Sequence, residues 1–290
     1  MLITVFTPSY NRAHLLPRLY ESLLQQSSHN FEWLIVDDGS EDQTQSVVEA
    51  MQKEQKIPIR FLKKENGGKH TAHNAALQIA AGEWFLCVDS DDSMPKDAIR
   101  QLEALILRAQ KQDCAILGCK AALDGSVLCK PVEDTLPHLS FYSHPILRCG
   151  GEYAMAFRTD VLRQYPFPVI PSERFMTEEV LLDALELAGY TVMPSSIVLI
   201  LCEYQPDGLT ANISRIMKRN PAGYCLYFMQ RIDLQPSWKS RFLIAGKYRC
   251  FCLFAGKKKT PYRGKHPVCA ALAAPLGLLF WVYYKLLRGF

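Results

Sequence analysis

Four short apolar runs, each cut off by a cluster of polar residues, limit what this chain can fold into. They are "LITVFT" before "PSYN", "FEWLIV" before "DDGS", "IRFL" before "KKENGG" and "EWFLCV" before "DSDD". Runs of this length, rich in β-branched and aromatic residues and closed by turn formers, read as buried strands. Helical patterns separate them in places. Residues 12–26 put Leu15, Leu16, Leu19, Leu23 and Leu24 on one face, and "KHTAHNAALQIAAG" is a small-residue helix stopped by Gly82. Pro95 opens a helix in "PKDAIRQLEALILRAQ", which leads to a fifth strand, "DCAILGC". Repeated strand–helix–strand units imply an α/β domain with a mainly parallel sheet and helices on both faces. Ligands bind such sheets beyond the carboxyl ends of the strands. All four polar clusters fall there, making a nucleotide-sized crevice.

The second half is less regular. "GGEYAMAFRTDVL" reads as a strand running into a short helix. "PSERFMTEEVLLDALELAGY" carries a capping pattern at Thr177, Glu178 and Glu179, then an amphipathic helix ended by Gly189. "SSIVLILCEY" is a further buried strand, and beyond "QPDGLTANISR" the chain becomes basic and helical. With 290 residues, 49% of them apolar, there is material for one large α/β domain or two small ones.

The net charge of +4 is unevenly spread. Residues 241–290 hold ten Lys/Arg and no Asp or Glu, which leaves 23 basic against 29 acidic residues before them. A basic, acid-free tail suits anionic lipid or nucleic acid. The neighbouring "PVCAALAAPLGLLFWVYY", residues 267–284, favours lipid. Its 18 uncharged residues are at the short end for a spanning helix, and Pro275 sits in the middle. The stretch reads as membrane-attached, either a re-entrant hairpin or an in-plane helix with Trp281, Tyr283 and Tyr284 at the headgroups. The alternative is a C-terminal core helix. None of the ten cysteines forms a CxxC pair, and "MLITVFTPSYNR" has no basic-then-apolar leader. Reduced thiols and a cytoplasmic location are therefore expected.

Asp89, Asp91 and Asp92 set the central chemical question, because like charges that close repel. Water, a helix N-terminus or a metal ion would each relieve them. A helix cap needs one acid only. Three suggest a hard cation, and Mg²⁺ or Mn²⁺ takes one or two carboxylates and completes its shell with water and phosphates. A calcium EF-hand loop is excluded because Met94 stands where the turn glycine is required. Taken singly, "DDGS" and "NGG" are turns, and Lys69 is either a solvated lysine or a point charge for a phosphate. His70, His138 and His144 read as surface or packing residues, since no His/Cys set recurs at zinc spacing.

Taken in order, "TPSYNR", "VDDGS", "ENGGKHTAHNAAL" and "VDSDD" resemble the nucleotide-binding half of the family 2 glycosyltransferases. "FMTEEV" is similar to that family's ED motif, and "YQPDGLT" to a segment that follows it. The resemblance implies the GT-A fold, with residues 1–120 as the nucleotide-sugar-binding half and 121–214 as the acceptor and catalytic-base half. Residues 215–290 would then be a helical basic extension with its apolar segment at 267–284. It implies roles as well. Thr7, Pro8, Tyr10 and Arg12 would line the nucleoside pocket, and Asp37, in preference to Asp38, would hydrogen-bond uracil. Lys69, with Asn74 in the same motif, would lie near the base or diphosphate; Asp89 would bind ribose or sugar hydroxyls. Asp91 would hold Mn²⁺ or Mg²⁺. Glu179 would be the catalytic base, with Glu178 as helper or alternative. Where the family often has "ARN" this chain has "AHN", so His73 replaces a guanidinium and more of the diphosphate falls to Lys69.

The reaction implied is inverting transfer of a sugar from a nucleotide diphosphate, commonly UDP, to an acceptor hydroxyl. The metal would neutralise the leaving diphosphate, and Glu179 would take the acceptor's proton. Expected partners are a nucleotide-diphosphate sugar, a glycan or lipid-linked acceptor of surface-glycan assembly, and the cytoplasmic side of the inner membrane, with no nucleic acid. Rival readings are weaker. A nucleotidyltransferase usually has a glycine-rich loop after its first strand, and "TPSYNR" has no glycine. The DxDx[TV] motif of haloacid-dehalogenase phosphohydrolases belongs to a first strand, and Ser93 replaces its Thr/Val. A membrane-bound nucleotide-sugar binding protein without transfer activity would have no need of Glu178 and Glu179.

Overall fold

The four apolar runs are strands: β1 (Ile3–Ser9), β2 (Phe31–Asp37), β3 (Ile59–Lys63) and β4 (Trp84–Cys87). The structure is a computed structural model that describes residues 3–130, 132, 136–142, 147, 151–203 and 213–287. Four more strands follow, β5 (Asp113–Ala122), β6 (Tyr153–Arg158), β7 (Thr191–Met193) and β8 (Val198–Cys202). The sheet order is β3-β2-β1-β4-β6-β5-β7, with β8 also paired to β5. The ladders between these strands are parallel except those of β6, which runs antiparallel to both β4 and β5. The expected mainly parallel sheet is present, with one strand reversed.

Helices α1 (Leu16–Leu24), α2 (Thr44–Glu54), α3 (Lys69–Ile79) and α4 (Ala98–Ile106) cover the parallel half. Side chains alternate across a strand, so β1 feeds two layers. Ile3 and Val5 pack with Leu16, Leu19, Val48 and Leu102 from α1, α2 and α4. Phe6, on the other face, stacks on Phe85 at 5.2 Å and meets His73 of α3 edge-on at 5.8 Å. Burial on both faces is why these strands read as continuous apolar runs rather than alternating ones.

Two elements were not anticipated. The helix α2 carries few apolar residues and buries only Thr44, Val48 and Met51, too thin a stripe for periodicity to reveal. Strand β7 has three residues. Pro95 does not open α4; it stands in the turn before it, its carbonyl accepting from Ala98 N at 3.0 Å. A short helix α5 (Thr159–Leu162) follows β6 as expected.

The chain divides into two units, Met1–Pro166 with Gly189–Gln205, and Phe167–Ala188 with Pro206–Phe290. The second unit is helical: α6 (Glu179–Leu187), α7 (Ile213–Arg219), α8 (Pro221–Leu234), α9 (Trp238–Ala255), α10 (Pro267–Leu272) and α11 (Ala274–Leu287). At α6 the residue before the helix, Glu178, makes no side-chain capping bond, so the expected capping pattern is not formed. A capping box does start α9, where Ser240 N donates to Ser237 Oγ at 3.1 Å. Tyr224, Phe228 and Ile232 of α8 join Tyr248 and Phe251 of α9 in one core with Cys269, Ala270 and Ala273.

Residues 267–284 form two helices that break at Ala273, not one. Pro275 falls in the first turn of α11, where its missing N–H costs nothing. Among the described residues no helix is long and apolar enough to cross a membrane. Trp281 lies 6.2 Å from Phe254 and Tyr284 6.1 Å from Phe251, so both face α9. Of the three aromatics expected at headgroups, only Tyr283 is exposed. The nine described cysteines are free. "YQPDGLT" (204–210) and His144 lie outside the described residues.

Candidate active site

Strand register places three of the polar clusters side by side. Ser9 at the end of β1 pairs with Asp37 at the end of β2, and Asp37 with Lys63 at the end of β3. Strand β4 stops earlier, at Cys87 opposite Phe6, and Val88 N donates to Phe6 O at 2.9 Å as the chain enters "DSDD".

The two acids of "DDGS" have different tasks. Asp38 clamps the next loop: Oδ1 accepts from Lys64 Nζ at 2.7 Å and Gly67 N at 3.0 Å, and Oδ2 from Gly68 N at 2.7 Å. Asp37 is fully buried, and its Oδ1 accepts from Ser40 N at 2.9 Å. Its Oδ2 is buried with no hydrogen-bond partner among the described residues; Lys63 Nζ forms an ion pair with it at 3.8 Å, too long for a hydrogen bond. A buried carboxylate oxygen left without a hydrogen bond is costly, so this atom is suited to accept from a ligand N–H. Gly39 makes the turn possible with φ +84°, and a β-carbon there would lie 2.9 Å from Asn66 N.

The carboxylate trio is relieved by one cation each. Arg12 Nη1 donates to Asp91 Oδ2 at 2.7 Å, Lys69 Nζ lies 2.8 Å from Asp89 Oδ1, and Lys120 Nζ lies 3.7 Å from Asp92 Oδ2. Arg18 of α1 adds a bond to the Asp91 carbonyl and another to Glu203. Burial works against charge on Asp89, yet Lys69, Lys120 and Arg12 together hold its carboxyl below the ordinary value. Asp92 is deeper: burial, opposed by Lys120 and aided by Asp89 and Asp91, pushes its carboxyl up to about 6. The loop is tied down by Ser93 and Leu201, whose N–H groups donate to each other's carbonyls at 2.9 and 2.8 Å. Lys120 escaped the sequence reading; its only signal was a lone lysine in an apolar strand.

Other expected residues fall as follows. Tyr10 is 47% exposed beside this loop cluster and Pro8 is half-buried. Thr7 is fully buried, its hydroxyl accepting from Trp33 Nε1 at 2.9 Å, so its side chain serves the core. Asn74 is half-buried in α3. His73 is held edge-on by Phe6 and Phe85, which leaves Lys69 as the cation of its motif. His70 is buried, and burial lowers its pKa; His138 packs its Nδ1 2.6 Å from Asp113 Oδ1. In the second unit Glu178 and Glu179 are exposed at the start of α6. Glu179 accepts from Arg231 Nη2, and Asp183, one turn on, accepts from Arg231 Nε at 2.6 Å.

Among the described residues no group of three or more His, Cys, Asp or Glu is arranged to hold a metal ion. The donor set still fits a hard cation that takes only Asp91 from the protein and its other ligands from diphosphate and water. Such an ion would compete with Arg12 for the Asp91 carboxylate.

Residues 4–169 match the family described as Glycosyl transferase family 2. Glycosyltransferase GlyG of Streptococcus pneumoniae is 35% identical over 117 residues, 40% of this chain and 38% of GlyG. Poly(ribitol-phosphate) β-N-acetylglucosaminyltransferase TarS of Staphylococcus aureus is 30% identical over 149 residues, 51% of this chain and 26% of TarS. The chain thus spans well under half the length of these relatives. TarS 1–349 in complex with UDP superposes with a TM-score of 0.61 at 20% identity, over 87% of this chain and 72% of that one. Mannosyltransferase PcManGT from Pyrobaculum calidifontis, in complex with GDP-Man and Mn²⁺, gives 0.58 at 19% identity, over 98% and 81%. The fold is therefore the GT-A fold with a helical C-terminal region. The loops that resembled the family in the sequence are the loops gathered at the ends of β1 to β4, and the chain belongs to glycosyl transferase family 2.

Proposed function

We propose that this protein is an inverting glycosyltransferase that moves a sugar from a UDP-sugar to an acceptor hydroxyl in surface-glycan assembly, using Mn²⁺ or Mg²⁺. The observation that carries the reading is that Arg12 and Lys69, two cations at the carboxyl ends of the sheet, rest on Asp91 and Asp89. With a metal diphosphate bound, Asp91 would hold the metal, Asp89 the ribose or sugar hydroxyls, and Arg12 and Lys69 would meet the phosphates. The UDP and UDP-GlcNAc complexes of TarS support a UDP-sugar as donor.

In this reading Asp37 Oδ2, which has no hydrogen-bond donor among the described residues, accepts the base's imino N–H. Tyr10 offers its exposed ring to the base, and Asp38 holds the loop that positions Lys69. Asp91 would hold the metal, which supplies charge neutralisation at the leaving diphosphate, and Asp89 would bind ribose or sugar hydroxyls. Arg12 and Lys69 add fixed positive charge to the same oxygens. Glu179 takes the proton of the acceptor hydroxyl once its contact with Arg231 opens, and Glu178 stands beside it. A single base without a covalent intermediate gives inversion.

Calorimetric titration of UDP, GDP and ADP, with and without Mn²⁺, tests the reading. Mn²⁺-dependent UDP binding is expected, lost in Asp91→Ala, with the preference for UDP reduced in Asp37→Asn. Absence of nucleoside diphosphate binding under every condition would overturn it.

A further inference from the structure

The helix pair α10 and α11 has two apolar sides, and the fold uses one. Inward, Cys269, Ala270 and Ala273 are buried in the helical core. Further along, Leu276 and Phe280 press on Gly246, and Trp281 and Tyr284 face Phe254 and Phe251. Outward, Val268 is 69%, Leu272 60%, Leu279 67% and Leu286 77% exposed, with Leu278 and Val282 exposed among them. Within each helix these residues recur at helical spacing, Val268 with Leu272 on α10 and Leu278, Leu279, Val282 and Leu286 on α11, so each helix bares an apolar side. A helix that is apolar all round belongs inside a large core or against lipid, and a contiguous exposed patch of this kind marks an interaction site.

Charge selects the occupant. Lys257, Lys259, Arg263 and Lys265 are exposed in the stretch that leads into α10, and residues 241–290 contain no Asp or Glu. Asp233 of α8 reaches this stretch but is engaged by Tyr262 OH and Lys265 N, so a second copy would bring a like basic stretch against this one, whereas an anionic bilayer brings opposite charge. Lys285, exposed on α11, places its ammonium 4.2 Å from the centre of the Trp281 ring one turn back. Helix α11 has 14 residues, roughly 21 Å of rise against the ~30 Å of a hydrocarbon core.

We propose that the outward side of α10 and α11 docks the helical unit onto an anionic lipid bilayer, lying in its plane without crossing it. The inference stands apart from the donor-site reading, since it uses no residue of that site.

The test is co-sedimentation of the full chain with vesicles of pure phosphatidylcholine and of phosphatidylcholine mixed with phosphatidylglycerol. Binding to the mixed vesicles is expected, weakening with salt. The pair Leu279→Glu and Val282→Glu should reduce partitioning at least about tenfold through lost apolar burial. The pair Lys257→Gln and Lys265→Gln should reduce it about fivefold per charge removed. Retained thermal unfolding cooperativity in the variants shows that they fold. Three results would overturn the proposal: no binding to mixed vesicles, equal binding to both kinds, or full binding by Leu279→Glu with Val282→Glu. A solution dimer that the same pair converts to monomer would also overturn it, by assigning the patch to a second copy.

Discussion

Arg12 Nη1 lies 2.7 Å from Asp91 Oδ2, so the residue expected to hold a metal is already neutralised by an arginine 79 positions earlier in the chain. The protein carries its own counter-ions at the end of β4, and a divalent cation entering alone competes with Arg12. Arg12→Gln should therefore tighten Mn²⁺ binding in the absence of nucleotide, by about fivefold or more, while weakening the gain in Mn²⁺ affinity that UDP brings. Electron paramagnetic resonance of free Mn²⁺ measures both. Unchanged or weaker Mn²⁺ binding in the variant would show that Arg12 does not guard Asp91.

Lys120 and Asp92 give a pH-dependent prediction. The folded state raises the Asp92 carboxyl from 3.8 to about 6, so this group lowers stability as pH rises from its unfolded value through its folded one. Lys120 limits that cost. Removing it in Lys120→Met leaves a buried carboxylate without its cation, a loss of about 3 kcal/mol at pH 8. At pH 5 Asp92 is protonated in the fold and the loss should shrink. Urea denaturation at the two pH values tests this, and an equal loss at both would contradict it.

Gly39 stands between Asp37 and Asp38 with φ +84° and no room for a β-carbon beside Asn66 N. Gly39→Ala should cost about 1–3 kcal/mol from the strained backbone. Because the turn orients both acids, UDP affinity should fall as well. Calorimetry and thermal melts on one preparation would separate the two effects. A variant with native stability would mean the turn relaxes.

Glu179 is the base in the reading given above, and its carboxylate is bound to Arg231. Glu179→Gln should lower kcat by about 10²–10⁴ and leave UDP affinity unchanged. Full transfer activity in Glu179→Gln, and its loss in Glu178→Gln, would move the role one residue back. A wild-type protein that binds UDP with metal but transfers no sugar to any hydroxyl, water included, would be a nucleotide-sugar binding protein.

Strands β1 to β5 and the polar loops that close the first four were legible in the sequence, because burial on two faces and turn chemistry are local. So was the importance of the acids at 89, 91 and 92, since three neighbouring carboxylates need relief wherever they lie. The source of that relief was not legible. Arg12, Lys69 and Lys120 come from three separate elements, and strand register and packing bring them to one loop. The division of labour between Asp37 and Asp38 is likewise tertiary: Asp38 is consumed by backbone N–H groups of Gly67 and Gly68, whereas Asp37 Oδ2 has no hydrogen-bond donor among the described residues. The apolar stretch at 267–284 announced itself by composition, but which side of it stays bare depends on what α9 covers. Local pattern determines which segments must be buried and which must turn. Only the folded chain determines which charges meet, because an ion pair forms between groups that close in space, however far apart they stand in sequence.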